Sequence, residues 1–119
     1  MSTEDVRGVI REYFDRLLNQ RDLSVCDELL ASGYVDHDGA DGRPPGPEET
    51  KESVIQLLET YPDMQVEVKE VVVEGDRAAV RLRWRGTHAG TGKVVERQGI
   101  TMLRLDERGQ IAERWSAYN

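Results

Sequence analysis

His37 and His88 are the side chains here whose ordinary pKa lies close to physiological pH, so each can take up or release a proton there. His37 sits in Tyr34-Val35-Asp36-His37-Asp38 and is the strongest candidate for a general base, the alternative being a structural histidine bonded to loop backbone. Strand alternation sends Asp36 and Asp38 to the face opposite His37, unless the loop beyond bends Asp38 back to orient the ring. His88 falls in a turn, where solvent surrounds it. Toward the other end Arg114, Ser116 and Tyr118 stand at every second position and share one strand face, with Glu113 and Trp115 on the other. A guanidinium in an apolar cavity needs a partner, either a protein carboxylate or a carboxylate or enolate of the substrate. Tyr118 either offers its hydroxyl to a carbonyl oxygen or simply packs.

Other chemistries lack their residues. Two histidines far apart and a single cysteine, Cys26, do not compose a metal-ligand set, an iron–sulfur site or a disulfide. Cys26 lies in a helical pattern and reads as a small core residue. Gly39, Gly42 and Gly46 sit among prolines and do not run from a strand into a helix, so no phosphate-binding loop is expected, and no serine occupies a nucleophile elbow. A net charge of −7 disfavours a nucleic-acid partner and suits a neutral or weakly polar ligand. No apolar run approaches the roughly 20 residues that span a bilayer, so no membrane partner is expected. The acidic start, Met1-Ser2-Thr3-Glu4-Asp5, does not read as a secretory signal, and the expected location is the cytoplasm.

The elements that must position these groups fit one domain over residues 1–119. Ser2 or Thr3 caps a first helix with Val6, Ile10, Phe14, Leu17 and Leu18 on one face. Asp22 or Ser24 starts a second with Cys26, Leu29 and Leu30 inward, and Gly33 supplies a left-handed stop. Tyr34 to Asp38 reads as a short strand, followed by an irregular loop from Gly39 to Gly46. Pro47 opens a third helix with Val54, Ile55, Leu57, Leu58 and Tyr61 on one face, ended by Pro62. After Pro62 four alternating strands form a meander, broken at Glu74-Gly75-Asp76, Gly90-Thr91-Gly92 and Glu107-Arg108-Gly109. In the second of them Val80, Leu82 and Trp84 face one way and Arg81, Arg83 and Arg85 the other, where they meet glutamates of Val66 to Glu70 or an anion. The predicted class is α+β, with three helices laid across one face of a twisted sheet.

The segments Tyr34-Val35-Asp36-His37, Pro45-Gly46-Pro47-Glu48, Tyr61-Pro62-Asp63, Gly86-Thr87-His88, Gly99-Ile100-Thr101-Met102-Leu103-Arg104 and Ile111-Ala112-Glu113-Arg114-Trp115 occur together in order. Together they resemble the SnoaL-like polyketide cyclases, of the wider nuclear-transport-factor-two-like fold shared with ketosteroid isomerase. The resemblance implies a cone-shaped barrel of a curved, mainly antiparallel sheet with three N-terminal helices. It also implies a homodimer through the outer sheet face, where Trp115 points, and a pocket that binds a small apolar organic molecule without metal or cofactor. His37 would be the catalytic base, with Arg114 and Tyr118 polarising the carbonyl. Phe14, Tyr34, Leu58, Leu82, Trp84, Thr101, Leu103 and Ser116 would line the substrate site. Where the cyclases commonly read His-Trp-Asp, with the aspartate as base, this chain has Arg114-Trp115-Ser116. The oxyanion donors of ketosteroid isomerase fall at Phe14 and Thr101, and its base at His37. The implied activity is that of a cyclase, isomerase or lyase on a polyketide-like carbonyl compound; the alternative is a module that binds a small molecule or dimerises without catalysis.

Overall fold

The computed structural model describes residues 1–38 and 46–118. The expected loop from Gly39 to Pro45 therefore lies outside the described residues, as does Asn119. Helix α1, Thr3–Phe14, starts on a reciprocal cap in which Ser2 Oγ accepts from the Asp5 amide at 3.1 Å and Asp5 Oδ2 accepts from the Ser2 amide at 3.0 Å. It buries Val6, Ile10, Tyr13 and Phe14. The chain continues as a π-helical segment, Asp15–Asn19, whose wider turn carries Leu17 and Leu18 inward. Asn19 then pairs with an open strand edge, donating to the Val66 carbonyl at 2.9 Å and accepting from the Val66 amide at 2.7 Å.

Helix α2 is shorter than its pattern suggests, Val25–Leu29, and strand β1 begins at once, Leu30–Asp36. Gly33 is inside that strand with no left-handed backbone angle, so it does not stop a helix. Parallel pairing of β1 with the last strand outweighs the local helical signal. Helix α3, Pro47–Thr60, has Pro47 in its first turn and ends before Pro62 as expected. The meander follows as β2 Gln65–Glu74, β3 Arg77–Thr87, β4 Val94–Leu105 and β5 Ile111–Tyr118.

These strands make one open five-stranded sheet in the order β1-β5-β4-β3-β2, antiparallel except between β1 and β5. The architecture is mixed α+β, and the sheet is curved but not closed into a barrel. Register shifts between Leu30 and Val35, Val68 and Glu70, and Arg104 and Leu105 mark irregularities of the kind that increase local twist. On the inner face Val71, Val80, Leu82, Leu103, Leu105 and Ile111 form one core with Val6, Ile10, Phe14 and Val25 of the helices. On the outer face Arg81 pairs with Glu70 at 3.2 Å, as expected of the arginine row, whereas Arg83 pairs at 3.6 Å with Glu96 of β4 rather than with a glutamate of β2. These pairs are exposed and contribute little to stability.

Leu103 is fully buried, whereas Leu58 is only partly buried at the rim of the core. Leu103→Ala should therefore cost about 2–5 kcal/mol in chemical denaturation and Leu58→Ala clearly less. Equal losses would contradict this placement of the core.

Candidate functional site

The last strand decides what faces inward. Within β5, alternation puts Arg114, Ser116 and Tyr118 on the inner face, and pairing sets them opposite Leu103, Thr101 and Gly99 of β4. On the other flank Asp36 of β1 is in register with Arg114. Arg114 runs along its own strand, donating from Nε to Ser116 Oγ at 2.9 Å and from Nη2 to Tyr118 Oη at 2.8 Å. Thr101, fully buried, has its hydroxyl 3.3 Å from Ser116 Oγ and 3.2 Å from Tyr118 Oη, which closes the network from behind. The guanidinium carbon lies 5.6 Å from the centre of the Phe14 ring, a cation–π contact. Tyr118 can lie flat here because position 99 is glycine: a Cβ there would come 2.2 Å from the Tyr118 ring.

This network forms one wall of a cavity of about 460 Å³. Its apolar lining comes from Phe14, Leu17, Leu18, Val54, Leu57, Met64, Val66, Leu82 and Trp84. Asp36, Asp38, Glu49, Thr50 and Ser53 add polar groups beside the β5 network. A mainly apolar pocket with a few convergent polar groups is the usual form of a small-molecule site. The Asp36 carboxylate accepts from the Asp38 amide at 3.0 Å, and Asp38 accepts from the Ser116 amide at 2.6 Å, fastening the end of β1 to β5.

No carboxylate among the described residues lies within 4.0 Å of the Arg114 guanidinium. Burial opposes its charge, but Tyr118, Tyr13, Tyr34 and Asp36 around it outweigh that and raise its pKa, so it stays protonated. Burial pushes the Tyr13 hydroxyl well above the ordinary tyrosine range, and Tyr34 likewise, with Arg114 pulling each back. Among the described residues the Tyr13 hydroxyl has no hydrogen-bond partner, and the Tyr34 hydroxyl has only a loose contact to Arg114. Among the described residues no cluster of histidine, cysteine and carboxylate groups could hold a metal ion, and no helix is long and apolar enough to cross a membrane. The Cys26 thiol, pushed up to about 11 by burial, is an inert core group.

Of the residues expected at the site, Phe14, Leu82, Trp84, Arg114, Ser116 and Tyr118 line the cavity, and Thr101 supports it from behind. Tyr34 and Leu103 are buried in the core and are not part of the lining. Leu58 is not part of it either: α3 turns Glu49, Thr50, Ser53, Val54 and Leu57 to the cavity, a face rotated from the apolar one. The main correction concerns His37, which points away from the cavity. Its Nε2 lies 2.8 Å from Glu113 Oε2 and its ring stacks on Trp115 at 4.7 Å, both on the outer face. Parity is the reason, since one residue's offset puts Asp36 inside and His37 outside. The inward carboxylates Asp36 and Asp38 could have been found from the same alternation that placed them opposite His37.

The chain matches the model of the SnoaL-like polyketide cyclase family over residues 8–119. No curated protein matches it. Among solved structures it is similar to wild-type IdmH, a candidate polyketide cyclase from Streptomyces antibioticus, at 29% identity and a TM-score of 0.82, over 96% of this chain and 91% of that one. It is also similar to AclR, a candidate hydroxylase from Streptomyces galilaeus, at 25% identity and a TM-score of 0.84, over 99% and 91% of the two chains. A candidate polyketide cyclase from Bacillus cereus superposes with a TM-score of 0.87 at 21% identity, over 100% of this chain and 79% of that one, a likeness of fold.

On the outer face, hydrogen bonds from His37 and then Arg104 lower the Glu113 pKa below its ordinary 4.5. A lowered carboxylate contributes stability that is complete above its unfolded value and is lost as pH falls through the folded one. Glu113→Gln should therefore be less stable than the parent at neutral pH, with the difference closing as denaturation is repeated at successively lower pH below the ordinary carboxylate range. A difference that does not change with pH would contradict the pairing.

Proposed function

The chain belongs to the SnoaL-like polyketide cyclase family, and on that premise we propose that its pocket performs acid–base chemistry, without a cofactor, on a small polyketide-like carbonyl compound. One observation carries the reading: Asp36 and Arg114 stand side by side in register on the cavity wall without forming an ion pair. A carboxylate free to take a proton beside a cation free to receive negative charge fits removal of a proton next to a carbonyl. Asp36 takes the proton, and the electron pair moves onto the carbonyl oxygen, toward Arg114 and Tyr118. The enolate carbon then bonds to a second carbonyl carbon of the same molecule, whose oxygen receives the proton held by Asp36. The apolar lining keeps water from competing for these charges.

A binding module without catalysis is the second reading. It is favoured by Ser116, which stands where the cyclases of this family commonly carry the aspartate base and is occupied in hydrogen bonds with Arg114 and Thr101. Turnover of a polyketide-type ester decides between them. Asp36→Asn should lower it by about 10²–10⁴, the usual worth of a positioned base. His37→Ala should keep it, because that ring lies outside the cavity. Full activity in Asp36→Asn would remove Asp36 from the mechanism, and a wild type that binds the ester without converting it would leave the binding module.

The same reading includes a homodimer through the outer sheet face. Val72, Ile100 and Met102 are exposed there at 57%, 55% and 43%. Register lines up Val72, Ala79, Met102 and Trp115 across four strands, with Arg77 over the Trp115 ring at 5.5 Å. Such a band, rimmed by charge, is the kind of surface that pairs with its own copy. Sedimentation at micromolar concentration should show a dimer that Met102→Asp dissociates; a wild-type monomer would refute it.

A further inference from the structure

We propose that the inner end of the cavity is a subsite for an enolic or phenolic hydroxyl of the ligand, held between the donors Arg114 and Tyr13 and the acceptor Asp36. This deepens the reading of the pocket as a site for carbonyl compounds and rests on it for the ligand class. Two independent features of the wall lead here. The Tyr13 side chain is fully buried, belongs to the cavity wall and has a hydroxyl with no partner, although buried polar groups are nearly always paired. Arg114 offers five N–H donors, of which two make hydrogen bonds among the described residues, both to hydroxyls and neither to a carboxylate. Tyr34, whose hydroxyl has only a loose contact to Arg114, lies within electrostatic reach of Tyr13 and Asp36.

The charges around this end select among oxygen groups. A ligand carboxylate would bring a further negative charge beside Asp36, Asp38 and Glu49, with Arg114 as the one cation among the described lining residues. An ether or ketone oxygen would accept from Tyr13 and Arg114 but leave its lone pairs facing the Asp36 carboxylate. A hydroxyl satisfies both sides, accepting from Tyr13 and Arg114 while donating to Asp36. Enols and phenols are also the compounds in which a hydroxyl sits directly on an apolar, planar carbon frame suited to Phe14, Leu82 and Trp84.

Isothermal titration of the full chain at neutral pH with 2-naphthol, 2-methoxynaphthalene and 2-naphthoate separates these cases. 2-Naphthol should bind about tenfold more tightly than 2-methoxynaphthalene, a difference on the scale of one well-placed hydrogen bond, and 2-naphthoate should bind more weakly than 2-naphthol. Tyr13→Phe should bring 2-naphthol down to the level of the methyl ether while the unfolding temperature holds or rises, since an unpartnered hydroxyl has been removed. Equal affinities for all three would reduce the site to an apolar cavity and overturn the proposal. Tightest binding of 2-naphthoate would overturn it in favour of an anion site, and unchanged 2-naphthol affinity in Tyr13→Phe would take Tyr13 out of it. The ranking is read from binding alone, so failed turnover sinks the catalytic reading and leaves this one standing or falling on its own.

Discussion

A guanidinium held in a mainly apolar cavity by hydroxyl groups, with no ion-pair partner among the described residues, is the constraint around which the rest of the molecule is arranged. Arg114 is kept in place by Ser116 and Tyr118 on its own strand, by Thr101 behind them and by the Phe14 ring beneath. Desolvating such a charge is costly unless donors and acceptors are well matched. The cost is met locally by three hydroxyls, and Gly99 leaves the room that the Tyr118 ring needs. A pocket cation with no counter-charge fixed on it among the described residues is what the proposed ligand reading rests on.

Strand parity then distributes the remaining chemistry. The parallel pairing of β1 with β5 sets Asp36 beside Arg114, so the next residue, His37, must turn outward to Glu113 and Trp115. The Asp38 contact to the Ser116 amide holds this register at the end of β1. One alternation thus builds two surfaces, a carboxylate and a guanidinium inside and a stacked aromatic pair outside, on the face proposed for self-association.

Much of this was legible in the residues. The Ser2 cap, the Pro47 start of α3, the meander and the in-and-out alternation of Val80 to Arg85 follow from local rules with little competition, and the structure has them. Alternation in β5 put Arg114, Ser116 and Tyr118 on one face, and the family resemblance made that face the inner one, as it is. Three features were not legible, for three different reasons. Helical spacing through Leu29 and Leu30 hid a strand that begins at Leu30 and is fixed by a partner some 80 residues away. The π-helical segment after Phe14 carries no local sequence signal. The α3 face was read from its apolar residues, yet the wall it supplies includes Glu49, Thr50 and Ser53, because a cavity wall need not be as apolar as a core. The resemblance placed His37 at the pocket, and alternation relative to it sent Asp36 to the opposite face, which is the face that lines the cavity.

The central claim, that Arg114 and not His37 faces the ligand, is tested most directly by side-chain NMR. The Arg114 Nε–H, donated to Ser116, should give a protected resonance that shifts when 2-naphthol is added, while the His37 ring signals stay where they are. Movement of the His37 signals with an unmoved Arg114 would contradict the account.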